Sequence, residues 1–272
     1  SPGLRVGCGF IELAEPGLDD AIDAVVAGGA RSVVGVPLVL LGAGHLKNDG
    51  PAALACGRHR YPTVRFGYAR DLGIHPLVLS VASDRIEAAL AGMVSPGARV
   101  AQGARVAPGA RVAPGDAAAV IVGRGSTDPD ANADLHKVAR LLQDTCGLRL
   151  AEPAFVSLAE PSVPAALERC RRLGAGTVAV VPYFLFTGVL VDRIHAQAGA
   201  WAAANPDVTV VVGTYMGPDP RIATLVLDRY AEALAGGARM NCDCCIYRAP
   251  LPGYEHRVGQ PLPVTGHAHQ HH

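Results

Sequence analysis

Apolar positions along the chain fall into short runs that alternate with amphipathic stretches. SVVGVPLVLL, from Ser32, and TVAVVPYFLF, from Thr177, are β-branched runs of strand character, and each follows a stretch whose apolar residues recur at helical spacing. Pro16 and Asp19 open the first of these helices, and Gly28 and Gly29 end it. TVRFGYA, from Thr63, and VTVVVGT, from Val208, predict two further strands, each followed by a G-x-x-P turn and a closing helix. AAAVIVGRGSTDPDANADLHKVARLLQ, from Ala117, reads as strand, Gly-rich loop and helix. Strands that alternate with helices in this way predict an α/β fold, a parallel sheet flanked by helices.

The pattern occurs twice. FIELAEPGLDDAIDAVVAGGARSVVGVPLVLL, from Phe10, matches FVSLAEPSVPAALERCRRLGAGTVAVVPYFLF, from Phe155, and Gly73, Pro76, Asp84 and Arg85 answer Gly217, Pro220, Asp228 and Arg229. Two homologous domains are therefore expected, over residues 1–95 and 116–237, joined by a Pro/Gly linker over 96–115 whose six-residue phrase reads as a slippage product without chemistry. A tail follows over 238–272. GLRV after Gly3 already aligns with GLRL after Gly147, so the first domain is expected to be N-terminally truncated, without a counterpart of the strand, loop and helix from Ala117.

Half of the 272 residues are apolar, enough for a sizeable core, and the formal charge is zero, which removes the basic footprint of a nucleic-acid binder. With no long apolar span and no leader pattern, a soluble cytoplasmic protein with a small ligand is expected. Seven cysteines do not form a secreted disulfide pattern: Cys8, Cys56, Cys146 and Cys170 are isolated, and Cys242, Cys244 and Cys245 cluster as metal ligands would.

Comparing the repeats separates candidate chemistry from scaffold. His45, in GAGHLKNDGP, lies where a strand ends, the place at which open α/β sheets bind ligands, and the second repeat has Val189 or Leu190 there. Glu12, in FIEL at the end of another expected strand, is answered by Ser157, whereas Glu15 is retained as Glu160. Glu15 therefore reads as structural, an N-cap or first-turn carboxylate, and Glu12 as functional. An imidazole and a carboxylate facing one cleft suit a borderline divalent ion, and either can take a proton as metal enters a macrocycle. His75, answered by Asp219, reads as a loop or packing residue; His59, His136 and His195 read as exposed.

The motifs FIELAEP, VPLVLLGAGHLKNDGP, VGRGSTDPDAN and VVPYFLFTGVLVDRI resemble those of the class II tetrapyrrole chelatase family, in its long, actinobacterial-type sirohydrochlorin cobaltochelatase form, over nearly the whole chain. The resemblance implies an ATP-independent lyase that inserts Co²⁺ into sirohydrochlorin with release of two protons, in cobalamin biosynthesis. It implies Glu12 and His45 as metal-binding and catalytic groups, with a third ligand, a His, in the segment missing from the first repeat. The second repeat, with Arg124 in GRGSTD at that His position, is implied to be a degenerate scaffold. Gly42, Ala43, Gly44 and Lys47, with Arg124, Ser126 and Thr127, are weaker candidates for holding substrate carboxylates. GRGSTDPD lacks the Gly-Lys-Ser/Thr ending of a phosphate-binding loop.

Met240-x-Cys242-x-x-Cys245 resembles a sequence that longer members use for an iron–sulfur centre; a labile zinc or cobalt site, and a tail with free thiols, are the competing readings. His267, His269, His271 and His272 read as a natural metal-storing segment. Iron or nickel insertion into the same tetrapyrrole, and a non-catalytic metal or tetrapyrrole carrier, are the alternatives, and a homodimer is left open.

Overall fold

The computed structural model describes residues 4–92 and 112–260. The elements run α1 (Leu18–Ala27), β1 (Ser32–Gly35), α2 (Gly50–Arg60), β2 (Arg65–Tyr68), α3 (Pro76–Ala91), β3 (Ala118–Gly123), α4 (Pro129–Cys146), β4 (Leu150–Phe155), α5 (Val163–Arg172), β5 (Thr177–Pro182), α6 (Val189–Ala204), β6 (Thr209–Val212) and α7 (Pro220–Leu234). All strand pairs are parallel: β1 pairs with β2, and the second sheet has the order β4-β3-β5-β6. The α/β class and the two helix-flanked parallel sheets match the sequence reading. Among the described residues no helix is long and apolar enough to cross a membrane. The storage segment His267, His269, His271 and His272, and most of the linker, lie outside the described residues.

In the four-stranded sheet β3 has a partner on each side, and all six of its residues are buried, as a sheet covered on both faces requires. Val120, Val122, Val178 and Val180 pack with Val163 and Leu167 of α5 and Ile194 of α6; full burial of each such side chain is worth about 1.5–3 kcal/mol. Cys170 belongs to this core, and burial pushes its thiol up to about 12, so it acts as a small apolar group. Asp128 caps α4 by accepting the Asp130 N–H, and Gly147, at φ 62, ends it in the left-handed conformation that glycine adopts without penalty.

The compact units divide the chain elsewhere than the sequence repeat does. One holds residues 1–73 and 225–272, the other residues 74–224. α3, which closes the first repeat in sequence, packs on β5, β6 and α4, with Val78, Val81, Ala82 and Ile86 fully buried. Arg85 of α3 donates to the carbonyls of Tyr215 (3.0 Å) and Met216 (3.2 Å), just ahead of the turn that precedes α7. Its repeat counterpart Arg229, on α7, donates to the carbonyls of Asp71 and Leu72, both at 2.8 Å, just ahead of the turn that precedes α3. The repeated arginine thus fastens the closing helix of each repeat to the other repeat's turn. Local sequence identifies homologous segments, whereas packing decides which sheet a helix covers.

The expected strand leading into Glu12 does not form. Phe10 makes an isolated bridge to Gly17, and residues 4–9 belong to no strand. β4, the counterpart of this segment, enters its sheet through β3. No described residue of the first unit occupies the place of β3, and an unpaired strand has no ladder to hold it.

Candidate active site

Glu12 is displayed by a short turn between Phe10 and α1. The Phe10 N–H donates to the Pro16 carbonyl (2.9 Å), Glu15 Oε2 accepts the Gly17 N–H (3.2 Å), and Leu13 is left-handed at φ 65. A non-glycine residue there costs about 1–2 kcal/mol, which the closed turn supports. The second repeat builds the same turn: the Phe155 N–H to the Pro161 carbonyl (2.8 Å), Glu160 Oε2 to the Ser162 N–H (2.6 Å), and Leu158 at φ 59. The retained glutamate is structural, as expected, although it acts on the residue before the helix rather than as the cap itself.

β1 ends at Gly35, earlier than the apolar run from Ser32 suggests, and His45 follows ten residues later at the start of a wide turn, His45–Asp49, closed by a bond from the Gly50 N–H to the His45 carbonyl and continued by α2. Insertions of this π type recur at functional sites. Beneath it, the Tyr68 hydroxyl donates to the Leu46 carbonyl at 3.1 Å. Burial, and then the charges of Asp49 and Asp71, push the Tyr68 phenol above its usual range, so it is a fixed donor rather than a base. Gly50 permits this seat, because a Cβ on it would stand 2.1 Å from the Tyr68 hydroxyl oxygen.

The wide turn brings the two candidate groups together. His45 Nε2 lies 3.7 Å from Glu12 Oε1, and His45 Nδ1 lies 2.6 Å from Asp49 Oδ2. In the neutral tautomer that donates Nδ1–H to Asp49, Nε2 carries the lone pair on the side that faces Glu12, the arrangement a metal-ligating imidazole needs. Two donors bound about 2.1 Å from one ion at a tetrahedral angle stand about 3.4 Å apart, so the observed gap requires an adjustment of a few tenths of an ångström. The His45 and Glu12 side chains are 40% and 39% exposed, open to an arriving ion, while Asp49 is more sheltered at 21%. Asp49 occupies the far side of the ring, and no group of three or more His, Cys, Asp or Glu residues among the described residues is placed to hold a metal.

Asp49 and Tyr68 escaped sequence reading. The H-x-x-x-D spacing puts residues 45 and 49 on one helical face, but Gly42, Gly44, Gly50 and Pro51 gave the segment the look of a loop. Gly42, Ala43, Gly44 and Lys47 all lie in or beside this turn, the Lys47 N–H donating to the Ala43 carbonyl at 2.9 Å. In the second repeat, Arg124 and Thr127 are exposed, and the Arg124 carbonyl accepts the Ser157 N–H. Ser126 is occupied locally: its hydroxyl accepts the Asp128 N–H (3.0 Å), and Asn132 holds its main chain through two hydrogen bonds. His75 caps α3 by accepting the Leu77 N–H, as Asp219 accepts the Arg221 N–H, and His59, His136 and His195 are exposed.

The described tail residues give the iron–sulfur reading no support. Cys245 is buried and Cys244 exposed, so their thiols meet different surroundings, and with Cys242 they form no metal-holding group. A cluster needs four ligands, so these cysteines alone do not complete one.

The model of the CbiX family matches residues 1–89 and 118–233. The chain belongs to the CbiX family. Within reach of this family are a sirohydrochlorin cobaltochelatase of Priestia megaterium, 35% identical over 88% of this chain and 72% of that protein, and a sirohydrochlorin ferrochelatase of Bacillus subtilis, 31% identical over 83% and 78%. The solved structure of SirB from Bacillus subtilis with Fe³⁺ superposes with a TM-score of 0.66 at 31% identity, covering 84% of this chain and 81% of that one. The resemblance to class II chelatases read from FIELAEP and the GAGHLKNDGP loop is borne out, and the CbiX match spans both repeats.

Proposed function

We propose that the chain is a sirohydrochlorin chelatase that inserts Co²⁺ into the macrocycle, with release of two protons, as a step toward cobalamin. The observation that carries this reading is the approach of His45 Nε2 to Glu12 Oε1, with Nδ1 fixed by Asp49, in a CbiX chain whose relatives are chelatases. Nitrogen and oxygen donors suit Co²⁺ and Fe²⁺ alike. Cobalt is the first choice because the cobaltochelatase of Priestia megaterium shares more identity than the ferrochelatase of Bacillus subtilis, which keeps iron as the second.

In this reading Glu12 and His45 take the ion from solvent through one oxygen and one nitrogen. The remaining coordination positions are free for water and then for the pyrrole nitrogens. Each nitrogen pair that binds the metal releases a proton, and a Glu12 carboxylate or His45 imidazole freed from the ion is positioned to accept one. Two protons leave for one divalent ion, so charge balances without redox chemistry or nucleotide.

Anaerobic absorbance of sirohydrochlorin with Co²⁺, Fe²⁺ or Ni²⁺ tests the reading. Accelerated insertion, fastest with Co²⁺ and lost in His45→Ala and Glu12→Ala, is the expected result. A rate equal to the uncatalysed one with every metal would overturn it, and a faster rate with Fe²⁺ would reassign the metal.

A further inference from the structure

The described part of the tail, residues 238–260, contains no strand and one short helical turn, yet it folds as part of the unit that carries Glu12 and His45. Cys245 and Ile246 are buried, the Arg248 and Ala249 N–H groups both donate to the Cys245 carbonyl, and the Gly259 N–H donates to the Tyr247 carbonyl, closing the segment on itself. This closure places Tyr247. Its hydroxyl lies 3.8 Å from the point at which a Cβ on Gly44 would stand, and Gly44 is the residue before His45. Arg257 lies over the Tyr247 ring, 5.6 Å from its centroid, and donates to its hydroxyl at 3.4 Å. Among the described residues Arg257 forms no ion pair, whereas Arg70 of the same unit is bound to Glu232.

We infer that Tyr247 and Arg257 form a carboxylate clamp at the rim of the metal site, contributed by the tail, which grips an acidic side chain of the tetrapyrrole; this rests on the proposed function. A guanidinium held against an aromatic ring through one of its N–H groups keeps its other donors for binding a carboxylate, and the ring limits the entropy lost when that contact forms. Sirohydrochlorin carries carboxylates around its whole edge, so a cation held by Tyr247, whose hydroxyl lies beside Gly44, orients the macrocycle as well as attracting it. The described part of the tail thereby acts through recognition of the organic substrate.

The test is fluorescence titration of the full chain with metal-free sirohydrochlorin, comparing the parent with Arg257→Gln, Arg257→Lys and Tyr247→Phe. Arg257→Gln is expected to weaken binding roughly tenfold, a typical effect of removing a charge-assisted contact. Arg257→Lys should recover part of that loss and Tyr247→Phe should lose less, while melting curves and Co²⁺ binding without tetrapyrrole stay at parental values. Equal affinity for parent and Arg257→Gln, in a parent that binds and metallates sirohydrochlorin, overturns the clamp alone. A parent that neither binds nor metallates it overturns the clamp together with the chelatase reading. Equal losses in Arg257→Gln and Arg257→Lys accompanied by lowered melting would also overturn it, by assigning Arg257 to tail folding.

Discussion

The turn that carries Glu12 and the turn that carries Ser157 share one backbone and differ in their chemistry. Both close a main-chain bond between phenylalanine and proline residues, both hold a left-handed leucine, and both use a glutamate to engage the N–H ahead of the next helix. The difference lies in what each turn displays and what meets it. In the first repeat a carboxylate faces an imidazole that an aspartate orients. Continuing the alignment without a gap into the second repeat puts Leu190 at the place of His45 and fully buried Ile194 at the place of Asp49. Burial differs in the same direction: Phe155 is 3% exposed and Phe10 44%. Features needed for the turn survive in both copies, and the carboxylate–imidazole pair to which the proposal assigns metal chemistry survives in one.

The largest effect is expected from erasing this difference. Glu12→Ser with His45→Leu gives the first turn the side chains of the second, and insertion should fall about 10²–10⁴-fold, the range for losing positioned acid–base groups, with the circular dichroism spectrum unchanged. Retained insertion would place the chemistry elsewhere. Asp49→Asn keeps the shape of the turn but weakens the hold on the His45 tautomer, and a fall of about 10–100-fold in insertion rate or Co²⁺ affinity is expected, as for other partners of ligating histidines. An unchanged Co²⁺ titration would reduce Asp49 to a helix-turn residue.

Gly50 and His195, which share an alignment position, sharpen the comparison further. A methyl group at buried Gly50 meets Tyr68, so Gly50→Ala should destabilise by about 1–3 kcal/mol in denaturant titrations, while His195→Ala, on an exposed face of α6, should stay within about 0.5 kcal/mol. Equal costs would mean that the wide turn does not depend on its seat. The smallest effect concerns the helix starts. Asp219 is held at a pKa of about 2, chiefly by its hydrogen bond from the Arg221 side chain, whereas its counterpart His75 is no carboxylate. A depressed carboxyl stabilises above its unfolded value near 3.8 and loses that contribution as pH falls toward 2. Melting temperatures of the parent should therefore converge on those of Asp219→Asn between about pH 4 and pH 2, and a constant gap across that window would argue against the coupling.

Much of this was legible from residue patterns because a repeat is an internal control. Retention of Glu15 as Glu160 marked it as structural, and replacement of Glu12 and His45 singled out two groups, 33 positions apart in sequence, that the fold brings to 3.7 Å. Asp49 was hidden because a short π-type turn between Gly44 and Gly50 carries no helical periodicity. The exchange of α3 and α7 was hidden because apolar spacing marks a helix face without naming the sheet it covers, and the partners are told by packing and by the arginine contacts to distant carbonyls. The role of the tail was hidden for a third reason: its cysteines drew attention to metal, while Tyr247 reaches the site through main-chain closures that composition does not encode.

The central claim is that Glu12 and His45 take the metal, and locating Co²⁺ in crystals of the chain by anomalous scattering tests it most directly. A peak about 2.1 Å from both His45 Nε2 and a Glu12 oxygen, absent in His45→Ala, is the expected result. A peak at Cys242–Cys245 or elsewhere in the chain, with Glu12 and His45 free of metal, would contradict it.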